Sequence, residues 1–595
     1  MRKLLLLTAA CTAIFSCKDK AQPAVSSADE GRKFHKMLDN YWEERMQLFP
    51  LEATANGDNR YNDRLTITIS GSFRDSLRRF YHKYVSALHQ LDTSRLNAED
   101  ALSYRLFGYE TEMNLQGLRF PTHYMPINQF WSFTLDLPQL GSGEGNQPFK
   151  TVKDYDNFLK RLSVFTAWTD TAIYNMRQGI KTGWVLPHAL AVKVLPQLRS
   201  MIVSDPKQSI FYGAVKLMPD SFSQAEKGRL TIAYTDAIQA AVVPNYQKLY
   251  DFFEKEYVPA TGSFSGVNAL PDGQRYYRYC IRYWTTANLT PDSIYALGTR
   301  EVSRLEDEMN RVKEETGFKG DLKTFFEFLN KDKQFYPFTT PRQVLDSFWA
   351  IKKQEDPELK RLFTNVPKAP FTIRQTEAFR AASASAEYNP ASEDGTRPGI
   401  FYVPIIDPAK YNAVGMETLF LHEAIPGHHY QICLQQENKD LPRFRRFLWY
   451  GAYGEGWALY SETLGRELGL FKNPYQYFGH LSDAMHRAIR LVVDVGLHAK
   501  GMTREDAISY MMAHERITKE EATAEIERYM AIPGQALSYK IGQLTISEER
   551  HKYEMQLGSK FNIASFHEEV LKDGCLPLNL LQEKLMAWAR KRSKQ

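Results

Sequence analysis

Apolar residues recur at three- and four-residue intervals in segment after segment: Phe34 to Phe49, Ser72 to Leu91, Ala98 to Leu115, Asp154 to Thr182, Phe222 to Tyr257, Pro291 to Glu315 and Asp321 to Lys331. That spacing places them on one face of an α-helix. Several starts are marked too. In Thr290-Pro291-Asp292, proline stands at the first helical position, where its missing N–H costs nothing, and Thr503 is followed by Arg504, Glu505 and Asp506. No fixed-period repeat, low-complexity stretch or long Pro/Gly/Ser linker interrupts the pattern. It predicts a mainly α protein: one large helical body over 31–595, with an N-terminal lobe of about 31–290 and a C-terminal lobe of about 291–595.

The helical pattern breaks between Glu387 and Asp407. Asn389-Pro390 and the run Asp394-Gly395-Thr396-Arg397-Pro398-Gly399 are turn chemistry, and Ile400-Phe401-Tyr402-Val403, closed by Pro404, reads as a short strand. A helix resumes near Met416.

The first residues have a different pattern. Arg2 and Lys3 precede an apolar run from Leu4 to Phe15, too short to span a bilayer and of the length of a signal-peptide core. The run ends Ile14-Phe15-Ser16-Cys17, which resembles a bacterial lipobox, so residues 1–16 are expected to be a signal peptide and Cys17 the lipidated first residue of the mature chain. An ordinary cleaved signal with an incidental cysteine is the bland alternative. Residues 17–30 would then be a tether, the lipid the only membrane attachment, and the cell envelope the location.

Composition narrows the function. Lys and Arg total 75 against 70 Asp and Glu, and a net +5 spread over 595 residues offers no surface dedicated to nucleic acid. Cys11, Cys17, Cys280, Cys433 and Cys575 are too few and too scattered for a disulfide framework or a cysteine zinc site. The last three read as buried thiols, and any metal must be held by histidine and carboxylate.

Such residues cluster after Met416, in His422-Glu423-Ala424-Ile425-Pro426-Gly427-His428-His429. Zinc takes neutral imidazole nitrogens, and a carboxylate beside the first of them is placed to act as general base. The familiar spacing of two histidines four apart is not kept: Pro426 stands where the second would be. In an unbroken helix His428 would lie roughly 120° around the axis from His422, and His429 about 10.5 Å along it. Pro426-Gly427 permits a local break, so His428 is the preferred ligand and His429 is left to support a ligand or meet substrate. Glu455, between Gly454 and Gly456, is the expected third ligand. Glu462, seven residues on, is read as a partner of Arg466 or of a ligand histidine.

From Leu481 to Lys500 the chain is apolar except for a stripe of Asp483, His486, Arg487, Arg490, Asp494 and His498. A helix buried on most of its circumference must turn such a stripe to a polar cavity or to paired charges. The functional reading has Arg490, or Arg487, holding a substrate carboxylate and His498, or His486, near the reacting carbonyl; the bland one pairs Arg490 with Asp494. Tyr539, between Pro533-Gly534-Gln535 and Lys540, is the favoured oxyanion donor.

With these residues in place the chain resembles the bacterial family called domain of unknown function 885, many of whose members are described as lipoproteins. The resemblance rests on H-E-x-x-P-G-H at His422 to His428, E-G-W-A-L-Y at Glu455 to Tyr460, R-L-V-V-D-x-G-L-H at Arg490 to His498 and P-G-Q-A-x-S-Y at Pro533 to Tyr539, with Asp394 to Gly399, Leu289 to Asp292 and Leu576 to Leu578 as further signatures. It implies a relationship to the gluzincin metallopeptidases, helical enzymes in which two His and a Glu bind zinc. The expected function is a zinc-dependent peptidase of short peptides, with Glu423 as general base; a non-catalytic peptide- or sugar-binding lipoprotein and a zinc hydrolase of other amides or esters are the alternatives.

Overall fold

The computed structural model describes residues 27–376, 385–391 and 398–594. The signal segment, Cys17 and the turn residues Asp394 to Arg397 lie outside the described residues.

Helix α1 (Ser27–Leu48) begins four residues ahead of position 31, where the helical body is expected to start. Polar contacts carry it upstream: Glu30 is buried and accepts from the Asp92 backbone N–H at 3.0 Å and from Lys33 Nζ at 3.0 Å. The expected helix over 154–182 is two, Val152–Ser163 and Phe165–Thr182, parted at Val164. The expected run to Tyr257 is continuous from Gln224 but widens to π-turns at Ile238–Val242 and Phe253–Tyr257. Pro244, just past the first of these, has no N–H to give to the ladder. Helix α2 (Pro291–Glu315) opens as its sequence predicts, with Thr290 and Ser293 exchanging side-chain hydrogen bonds with each other's backbone N–H.

After helix α3 (Pro341–Leu362) comes a small sheet. Strand β1 (Phe371–Gln375) runs parallel to β3 (Gly399–Val403), with Ile373 opposite Phe401, and β2 (Glu387–Asn389) pairs antiparallel on the other side of β3. Only β3 shows in the sequence pattern. Its residues are almost all buried, whereas β1 and β2 are short, half-exposed edge strands with little periodicity to read.

The C-terminal part supplies the site: α4 (Met416–Glu423), α5 (His428–Glu437), α6 (Gly451–Thr463), α7 (Pro474–Ala499), α8 (Lys519–Ala531) and α9 (Ser538–Leu557). Two buried apolar clusters hold the body together. One joins Phe34, Tyr41 and Phe107 to Phe420, Trp457 and Leu585; the other joins Phe158, Tyr234 and Phe253 to Phe325, Met485 and Ile526. Each cluster takes residues from both sides of position 290. Cys280, Cys433 and Cys575 are free and buried. Among the described residues, no helix is long and apolar enough to cross a membrane.

Candidate metal centre

The break after Glu423 is real and short. Ala424 leaves helical geometry (φ −108°, ψ −103°), the Ile425–Pro426 peptide is cis, and α5 starts afresh at His428. His428 is thereby freed from the rotation that one continuous helix would impose. Its ring centroid lies 5.0 Å from that of His422, with the planes at 88°. Gly427 makes the reversal possible: a Cβ there would sit 1.9 Å from the His422 carbonyl oxygen and 2.3 Å from that of Leu421. The Pro426 carbonyl, left without a helical partner, accepts from Trp457 Nε1 at 2.9 Å.

Trp457 belongs to α6, which also carries Glu455. That helix is pressed against α9 at Gly456, where a Cβ would lie 2.6 Å from the Gly542 Cα. So placed, Glu455 Oε2 lies 3.6 Å from His422 Nε2 and 3.4 Å from His428 Nε2, and one donor atom from each residue falls within 4.8 Å of the other two. Four-coordinate zinc with bonds of about 2.1 Å sets its ligand atoms about 3.4 Å apart, so the donor set and its spacing fit that ion. His422 is oriented from behind, Nδ1 meeting Glu462 Oε1 at 2.7 Å. Among the described residues His428 has no such support: its Nδ1 is buried without a partner, and the Trp449 ring stands 5.8 Å away.

The charges respond to this crowding. Burial opposes a proton on His422, but hydrogen bonds to Glu455 and Glu462 override it and lift the imidazole to about 10. Burial likewise works against the Glu455 carboxylate, yet the two imidazoles hold its pKa well below the usual range. Glu423, next to His422 and half-buried, keeps a raised pKa, mainly through burial and against the pull of His422 and His428. It is a carboxylate readier than most to take a proton.

The remaining expected residues divide. His429 does not join the cluster; its Nδ1 meets the Tyr388 hydroxyl at 2.8 Å and its ring faces Phe371, so it ties α5 to the sheet. His498 does not face a reacting group. Its Nδ1 accepts from the Val267 N–H at 3.1 Å and its Nε2 donates to the Tyr529 carbonyl at 3.0 Å, which leaves nothing for a substrate. Arg490 is satisfied inside the protein by Tyr529 (2.9 Å) and Glu525 (3.1 Å), not by Asp494, which takes the Tyr277 hydroxyl at 2.6 Å and the Gly534 N–H. Tyr539 lies beneath the Arg490 guanidinium, 4.7 Å from ring centre, and among the described residues its hydroxyl receives only a long contact from Gln535 at 3.5 Å. Glu462 serves His422, while Arg466 stacks at 3.7 Å on Tyr477 instead. Residues that the pattern does not single out are also here: buried His480, with Nδ1 3.8 Å from Glu462 Oε2, and Glu515, 2.9 Å from His486 Nδ1. Both come from packing between helices, which spacing along one helix cannot reveal.

Residues 50–585, and all four motif segments of this site among them, match the bacterial family described as "Bacterial protein of unknown function (DUF885)". The chain belongs to this family. Two solved structures resemble this DUF885 chain. One is "the putative lipoprotein from Colwellia psychrerythraea", 26% identical, with a TM-score of 0.87 over 96% of this chain and 100% of the other. The second, "a putative lipoprotein of unknown function from Shewanella oneidensis", is 19% identical with a TM-score of 0.68, over 95% of this chain and 100% of that one, and shares the fold. No curated protein matches the chain.

Proposed function

We propose that this DUF885 member is a zinc-dependent hydrolase of short peptides, anchored at the cell envelope. The observation that carries the reading is the convergence of His422 Nε2, His428 Nε2 and Glu455 Oε2, with the Glu423 carboxylate adjoining. Zinc held by these three residues would supply a Lewis acid and a bound water of lowered pKa. Glu423 takes a proton from the attacking water and returns it to the leaving nitrogen, a task suited to a carboxylate whose proton affinity burial has raised. Glu462 holds His422 in the tautomer that turns Nε2 toward Glu455. Tyr539, whose hydroxyl receives a long contact from Gln535, donates to the oxygen that becomes negative as the carbonyl is attacked. The envelope location is supported by the signal and Cys17 pattern and by the two lipoprotein relatives.

Glu423→Gln tests the mechanism. The amide keeps shape and removes the base, so the variant should retain metal by elemental analysis and lose about 10²- to 10⁴-fold in turnover of a peptide library. Undiminished hydrolysis would overturn the role of Glu423. Zinc-loaded parent protein that binds peptides without cutting any would favour the binding-protein reading instead.

A further inference from the structure

Trp131, Tyr283 and Trp449 are large rings left open to solvent, at 51%, 43% and 41% exposure. Scattered singly, such rings would need no account, but these are joined to one another and to the metal cluster. Trp131 lies against Trp284 with 5.8 Å between ring centres, and Tyr283 meets the same indole at 5.1 Å with the planes at 90°. Trp284 in turn rests on α6, its Cε3 3.5 Å from where a Cβ on Gly451 would stand. Trp449 covers the next turn so closely that a Cβ on Gly454 would sit 2.1 Å from its ring. Residues three apart on a helix are neighbours on one face, so the two indoles lie next to each other on a glycine face of α6. The Trp449 ring is 5.8 Å from that of His428, and Glu455 follows Gly454. An aromatic wall thus starts at the metal cluster and runs through Trp284 to Trp131 and Tyr283.

Its outer end is held in place. Asn128 Oδ1 accepts from the N–H groups of Phe130 and Trp131 at 2.8 Å each, which fixes the loop that presents the indole. Polar groups beside the rings are taken up by the fold: the Tyr109 hydroxyl donates to the Arg282 carbonyl at 3.2 Å, and that of Tyr450 to Glu110 Oε2 at 3.0 Å. Glu110 bears on Tyr283 as a negative charge, and Arg45 opposes it. A sugar needs partners for its hydroxyls and an ammonium needs an uncompensated negative charge. Two rings set at right angles, with engaged polar neighbours and opposed charges nearby, instead suit an apolar side chain.

We propose that this wall receives an apolar, preferably aromatic, side chain of the peptide substrate, about two to four residues from the bond that is cut, since extended chain advances about 3.4 Å per residue. This rests on the hydrolase reading above and names its substrate class.

The test uses an octapeptide of alanine and serine in which one phenylalanine is moved a position at a time. Mass spectrometry should show the cut bond moving with the phenylalanine at a constant offset. For the parent protein kcat/KM should exceed that of the peptide lacking phenylalanine by roughly 10- to 100-fold, the worth of burying such a ring. That ratio should fall toward one in Trp131→Ala and in Tyr283→Ala, and Trp131→Phe should keep part of it. A cut that ignores the phenylalanine, a parent ratio near one, or a ratio unchanged in both alanine variants overturns the proposal while leaving the hydrolase reading intact. So does a stronger preference for lysine in the same position. Calorimetric binding to Glu423→Gln separates the readings from the other side. Tighter binding of the phenylalanine peptide, lost on adding Trp131→Ala, would uphold the wall even if the parent cut nothing. Equal binding of the two peptides to Glu423→Gln would overturn it.

Discussion

Helices α6 and α7 are both buried, both bear charged residues on a largely apolar surface, and both lie against α4, yet they treat their charges in opposite ways. On α6, among the described residues, Glu455 has no donor but the two imidazoles it shares, and Glu462 gives one oxygen to His422 and keeps the other without a hydrogen-bond partner. On α7, Arg490, Asp494 and His498 have spent their hydrogen-bonding capacity on side chains and backbone of neighbouring segments. Polarity on a buried helix is therefore not in itself a sign of function. The distinction lies in whether the polar atoms are closed by the fold or left converging on a common point.

The sharpest way to break this contrast is to remove the convergence. Parent protein should hold about one zinc per chain, and His422→Ala or Glu455→Ala should lose it together with all hydrolysis, whereas His429→Ala should keep it. Metal retained in Glu455→Ala would place α6 in the same structural class as α7. A smaller effect is expected one step back. Glu462→Gln should weaken zinc by about 10- to 100-fold in chelator competition, as loss of an orienting carboxylate commonly does, without abolishing the site. Unchanged affinity would reduce Glu462 to a bystander.

The smallest effect belongs to α7 and is one of stability. Burial lowers His498 from 6.5 to about 4, so the unfolded chain binds that proton first and stability is lost as pH falls from about 6.5 toward 4. His498→Gln should bind zinc normally. Its deficit in thermal stability relative to the parent should shrink across that window by up to about 3 kcal/mol, the free-energy equivalent of the shift. A deficit independent of pH would mean that His498 is not held neutral by the fold.

How much of this was legible beforehand follows the same division. Helices with a long apolar face could be read from periodicity, and the convergence of His422, His428 and Glu455 from residue type together with the Pro426-Gly427 break, because each of those signals is local. The fates of Arg490 and His498 were not legible, since their partners lie on α8 and at Val267 and answer to the angle at which helices pack. His429 misleads for a related reason. It neighbours His428 in sequence, but one residue is about 100° of helix, enough to turn it to the sheet. Strands β1 and β2, short and half-exposed, leave too little pattern to find.

The bond from Trp457 to the Pro426 carbonyl means that the helix bearing Glu455 also clamps the turn that presents His428. The centre is thus not a portable motif. Grafting His422 to His428 onto another scaffold without α6 would transplant a hinge with nothing to latch it, whereas α4, α5 and α6 moved together would carry both the donors and the fastening that sets their spacing.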